Sequence, residues 1–143
     1  MNSMTLKKFV LAIITVATVP LGLATSTASA QTDMYGRWLA EDILGGGVID
    51  RLQTTIELAS DGHVNGFGGC NTFRGKASIT AHKLSFGPLA STRKACRQAV
   101  MDQEQKFHQA LKASTAWRIE QTTLILTNAA GDVVAKLTRL DRR

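Results

Sequence analysis

From Tyr35 onward, apolar and polar residues alternate in short runs separated by turn residues. "YGRWLAEDI", Tyr35–Ile43, reads as a first strand, and "LGGGVIDR" after it as a loop, because consecutive glycines do not hold a strand. In "LQTTIEL", Leu52–Leu58, the period of two puts Leu52, Thr54, Ile56 and Leu58 on one face. "ASDG", Ala59–Gly62, is an Asp-Gly hairpin turn, and "HVNGFG" returns as the partner strand. "KASIT" and "KLSF" form a second pair around Ala81–His82. "TAWRIE", "TLILTN" and "DVVAKLTRL" form a closing meander whose last tight turn is "AAGD", Ala129–Asp132.

Between the two strand groups the period changes. In "QAVMDQEQKFHQALKAS", Val100, Phe107 and Leu111 fall on one helical stripe with Met101 and Ala110 beside it. The segment is rich in Gln, Lys and Ala, all good helix formers. Asp102 and Glu104 read as first-turn carboxylates that favour the helix dipole. Strands, then a helix, then strands predict an α+β domain. The expected architecture is a curved, mostly antiparallel sheet of seven or eight strands with one helix packed on its concave face.

The amino terminus changes the setting. Lys7 and Lys8 precede the apolar run Phe9–Ala24, and "ASA", Ala28–Ala30, has the small-residue pattern of a cleavage site. Pro20 interrupts a run that is already short for a membrane span. The pattern predicts a signal peptide over residues 1–30, cleaved after Ala30, and a single domain over residues 31–143, located in the periplasm or secreted. No cysteine follows the leader, so no lipid anchor is expected. Loss of Lys7 and Lys8 lowers the formal net charge of +6 by two. A mild basic balance suits weak association with an anionic membrane surface. In that compartment, with two Trp and one Tyr among scattered charges, a nucleic-acid partner is not expected. A monomer is.

The stretch "GFGGCNTFRG", Gly66–Gly75, raises the question of chemistry. A phosphate loop needs Lys followed by Ser or Thr after its last glycine, and Gly69 is followed by Cys70 and Asn71. A dinucleotide fingerprint needs a strand before and a helix after, and these glycines lie between strands. Cys70, Cys96, His63, His82 and His108 stand at no zinc-ligand spacing, so neither metal nor cofactor is expected. No serine sits in G-x-S-x-G and no carboxylate pair is marked out, so no catalytic residue is expected. Arg93, Lys94 and Arg97 could lower the pKa of a Cys96 thiol. An even cysteine count in an exported chain favours instead a Cys70–Cys96 disulfide. It would close a loop of roughly 25 residues and contribute ~3.5 kcal/mol on the chain-entropy account. The glycines then become geometry. Gly66, Gly68 and Gly69 relieve a bulge or sharp bend, and Asn71 takes the left-handed region or bonds its own backbone.

"DGHVNGFGGCNTFRGKASITAHKLSFGPLASTRKAC", followed by a helix carrying "MDQEQKF", resembles the META domain family, the family of the heat-shock protein HslJ. The resemblance rests on the Asp-Gly hairpin, Gly69-Cys70-Asn71, Phe73 and Gly75. It continues through Leu84, Phe86, Pro88, Thr92-Arg93, Cys96, Glu104 and Phe107, with Trp38 near the start. It implies a compact exported α+β domain linked to stress response, without established catalytic residues, and in some members to novobiocin tolerance and motility. The expected function is therefore a non-enzymatic envelope module that binds an unknown envelope protein or small ligand. "GPLASTRKACR", Gly87–Arg97, is the expected contact surface through Arg93, Lys94 and Arg97; the alternative is that Thr92 caps or braces the loop and the charges are merely solvated. The alternatives are an inhibitor of an extracellular hydrolase and a thiol-redox protein using Cys96. An inhibitor of a basic lysozyme should be acidic, which this chain is not. An apolar ligand site between helix and sheet has no aromatic stripe to mark it, because Phe67, Phe73, Phe86 and Phe107 serve equally as core.

Overall fold

The computed structural model describes residues 33–140. The expected signal peptide over residues 1–30 and its expected cleavage after Ala30 lie outside the described residues. The elements are β1 (Gly36–Ile43), β2 (Thr55–Leu58), β3 (His63–Phe67), β4 (Thr72–Thr80), β5 (Lys83–Phe86), β6 (Ala90–Ser91), α1 (Gln98–Ala113), β7 (Ala116–Glu120), β8 (Thr123–Thr127) and β9 (Val133–Arg139). All strands join one antiparallel sheet in the order β3-β2-β1-β9-β8-β7-β5-β4-β6. β3 also pairs with β4, so the sheet curls round on itself. The α+β class and the curved antiparallel sheet match expectation. The ninth strand is β6, two residues of the expected loop that dock on β4 at Phe73 and Arg74.

The alternation read from sequence sets the interior. Trp38, Ala40, Ile56, Leu58, Val64, Phe73, Leu84, Leu124, Leu126 and Leu137 are buried in one core with Phe107, Ala110 and Leu111 of α1. Within the Leu52–Leu58 run, Thr54, Ile56 and Leu58 are buried as the period requires, while Leu52 is half-buried and precedes β2. The helix begins and ends almost where its composition places it, but its buried face starts later. Gln103, Glu104, Phe107, Ala110 and Leu111 are buried, whereas Val100 and Met101 are half-buried. The first turn holds no acidic residue, since α1 starts at Gln98 and both Asp102 and Glu104 stand beyond it. Those two residues therefore do not serve the dipole role expected of them.

Two local devices seat the first strand. The Trp38 indole N–H donates to the Met34 carbonyl at 2.8 Å, and the Arg139 guanidinium stacks 4.2 Å above the Trp38 ring. Asp42 accepts the N–H groups of Gly45 and Gly47 at 2.9 and 3.1 Å and so shapes the glycine loop after β1. The curled sheet is thinnest between β5 and β7, which share a single register pair, Lys83 with Ala116.

Candidate functional site

The glycine cluster exists for close approach more than for bending. Gly66 lies in register between Ile56 and Phe73, with no bulge, and a Cβ there would strike the Phe73 ring and the Thr55 carbonyl. A Cβ at Gly68 would lie 2.5 Å from Cγ of Glu104. Gly75 faces Leu89 and the Pro88 carbonyl, each 2.7 Å from where its Cβ would be. Only Gly69 of these four needs a glycine backbone, with φ of 117°. The expected bulge is absent, the expected sharp bend is present at Gly69–Asn71, and Gly66, Gly68 and Gly75 serve contact with Phe73, with Glu104 and with the returning loop.

Glu104 is the residue that Gly68 makes room for. It is 9% exposed. Its Oε2 accepts the backbone N–H of Cys70 at 3.0 Å and of Asn71 at 2.6 Å, and Oε1 accepts the Asn71 amide at 2.8 Å. Burial pushes this carboxyl up, but the Asn71 side chain, the Asn71 N–H and the Cys70 N–H outweigh it, with help from His108. The net pKa lies below the ordinary Glu value. Asn71 does not enter the left-handed region and does not bond its own backbone. Its side chain is a bridge. Oδ1 accepts the Thr92 hydroxyl at 2.9 Å and the Lys94 N–H at 2.7 Å, while Nδ2 also donates to the Lys94 carbonyl at 3.3 Å. Cys70 and Cys96 are joined, with Cα atoms 6.0 Å apart, so neither is a free thiol.

A second polar chain runs alongside. The Gln103 amide donates to the Thr54 hydroxyl at 3.0 Å and accepts the Ile49 N–H at 2.7 Å. Thr54 passes its proton-donating bond to the Gly68 carbonyl at 3.0 Å. Together α1, the turn after β3 and the loop before α1 form one clasp. It presents Arg93, Lys94 and Arg97 to solvent. Among the described residues no carboxylate pairs with any of the three. Arg74 on β4 lines a neighbouring cleft of about 580 Å³ with Asn65, Ser91 and Thr92. The histidines stand apart. His63 pairs with Asp61 at 2.9 Å on the first hairpin. His82 lies 5.7 Å from the Trp117 ring. His108 does not face open solvent on α1: it is half-buried with its ring edge-on to Phe73 at 5.0 Å. Burial lowers its pKa, partly countered by Glu104.

Residues 31–140 match the META domain family. The chain belongs to that family. The META domain accounts for the resemblance carried by Gly69-Cys70-Asn71, Thr92 and Glu104, which the fold brings into the clasp. The chain is similar to an NMR structure from Burkholderia xenovorans, at 26% identity and TM-score 0.59, over 75% of this chain and 83% of that one. A second NMR structure is 21% identical, with TM-score 0.58, over 73% of this chain and 88% of that one. A DUF4847 family protein from Bacteroides vulgatus is 14% identical with TM-score 0.50, over 63% and 61%. No curated protein matches the chain significantly.

Glu104 and Gln103 were missed as site residues because polar residues on a helix usually face water. A signal was present. Glu104 lies three and seven positions before Phe107 and Leu111, on the stripe itself.

Proposed function

We propose that this META-domain chain is an exported, non-catalytic envelope module that supports stress tolerance by binding an anionic partner through the loop Gly87–Arg97. The observation that supports the reading is the clasp. Thr92 and the Lys94 backbone are fixed to Asn71, and Cys96 is fixed to Cys70, while Arg93, Lys94 and Arg97 remain exposed and unpaired among the described residues. A loop ordered in advance loses little conformational freedom on binding, and loops on rigid scaffolds carry contacts. Unpaired cations on such a loop favour an acidic surface and speed the encounter with it.

Deletion strains test this reading. Wild-type protein should restore survival of heat shock, whereas Arg93→Ala with Lys94→Ala should restore it only weakly despite equal protein levels. Full rescue by the double variant, or no survival defect on deletion, sinks the proposal.

A further inference from the structure

A second cleft, away from the basic tip of the loop, lies between α1 and the segment after β5. Phe86, Pro88 and Leu89 line it from the sheet side and His108 and Lys112 from the helix, around about 580 Å³. That volume falls in the ordinary range of small-molecule sites, roughly 300–1,000 Å³. Phe86 and Leu89 are half-buried against the edge of the core, so the floor is apolar and anchored.

The polar groups around this floor say what can lie on it. The Gly87 N–H is spent on the Lys76 carbonyl at 2.9 Å and the Thr92 N–H on the Thr72 carbonyl at 3.0 Å. Pro88 has no N–H. The Ser91 hydroxyl is turned to the carbonyls of Thr72 and Thr92, at 3.3 and 3.1 Å. An extended peptide laid there would bring its own backbone donors and acceptors and find few partners. An alkyl chain brings none. The one formal cation of the cleft is Lys112, exposed in the last turn of α1, with no carboxylate among the lining residues and none paired with it among the described residues. The Glu104 carboxylate, one turn before His108, is already engaged by Cys70 and Asn71 in the clasp. An apolar floor with one unopposed cation at its rim fits a single-chain amphiphile with a singly charged anionic head.

We propose that this cleft binds a long-chain fatty acid, its alkyl chain on Phe86, Pro88 and Leu89 and its carboxylate on the Lys112 ammonium. The inference stands independently of the basic loop. The test is calorimetric titration of the purified protein with dodecanoate below its micelle concentration, beside decanoate, dodecanol, a lysophosphatidylcholine and the variants. Dodecanoate should bind saturably, one to one. Two methylenes fewer should weaken binding several-fold, up to roughly fifteenfold for full burial. Dodecanol should bind at least fivefold more weakly. Lys112→Glu should weaken dodecanoate at least fivefold and leave dodecanol unchanged. Leu89→Asp should abolish binding of both; should that variant fail to fold, Lys112→Glu, at an exposed helix position, still decides. Arg93→Ala with Lys94→Ala should change nothing here, which separates this inference from the function proposed above. No saturable binding, equal affinity for dodecanol, tighter binding of the lysolipid, or indifference to Lys112→Glu would each overturn it. So would a dimer dispersed by Leu89→Asp but not by dodecanoate, which would give the face to a second copy of the chain.

Discussion

The second turn of α1 is anchored by Gln103 and Glu104, which reach buried backbone groups and hydroxyls; the turns after it are anchored by Phe107, Ala110 and Leu111, each fully buried in the apolar core. The two halves differ in what they accomplish. Apolar burial is non-directional and scales with area, so the later turns hold the helix on the sheet without dictating what else is held. Charged hydrogen bonds are directional, so the second turn dictates where Cys70, Asn71 and, through Asn71, Thr92 and Lys94 must sit. The fold separates stability from placement along a single helix.

That separation can be broken from the apolar side first. Phe107→Ala should cost about 3–5 kcal/mol, the range for a large aromatic removed from a packed core. Denaturant unfolding checks it, and amide exchange should rise across all strands rather than in the clasp alone. Loss of the disulfide comes next. Cys70→Ser with Cys96→Ser should cost ~3.5 kcal/mol on the chain-entropy account. A midpoint that shifts by less than a third of that amount would mean that Asn71 and Glu104 already hold the loop unaided.

Breaking the polar side should read differently. Glu104→Ala leaves the N–H groups of Cys70 and Asn71 buried without their acceptor, at about 1–3 kcal/mol. The specific signature is faster amide exchange at Thr92–Cys96 with exchange in β8 and β9 slowed or quickened only in proportion to global stability. Uniform change throughout would show that Glu104 is merely another packing residue.

Much of this contrast was legible in the sequence, and unevenly so. Strands such as β2 announce themselves because one face is buried and the period is two, whereas β8 buries Leu124, Ile125 and Leu126 in succession; the helix announces itself because its stripe runs through Phe107 and Leu111. β6 does not, because Ala90–Ser91 has neither alternation nor bulk, and pairs only because β4 offers a free edge at Phe73 and Arg74. The disulfide is legible from the even cysteine number together with the expectation of export. The clasp does not, since an Asn after a glycine pair reads first as a turn residue and a Glu among Gln and Lys reads first as solvated. Sequence gives residue types their commonest role, and a buried carboxylate with three donors is the uncommon one.

Acid sharpens the same contrast at smaller amplitude. His108 is held below the ordinary imidazole value by burial, so in the window just under about pH 6.5 the unfolded chain binds more protons and stability falls as pH falls. Glu104 is also held below its usual range, so its stabilisation is complete at neutral pH and is lost as pH drops from about 4.3 through its folded pKa. Chemical unfolding as a function of pH should therefore show a shallow decline and then a steeper one. Glu104→Gln should remove its share of the second decline relative to wild type, and His108→Gln the first. An unchanged acid limb in Glu104→Gln would mean that the carboxylate is not the charged anchor of the clasp.

The smallest effect tests how far placement extends along the chain. Thr92→Val keeps shape and removes the hydroxyl that donates to Asn71 Oδ1. The net cost should be about 1 kcal/mol, a melting shift of roughly 4–5 °C for a domain of this size. Asn71 Oδ1 retains the Lys94 N–H, so the acceptor is not orphaned and the loss should stay near the low end. If binding of an anionic partner weakens by more than the stability change accounts for, Thr92 sets the aim of Arg93 and Lys94. If binding is unaltered, the disulfide and the Lys94 backbone alone hold the loop where it needs to be.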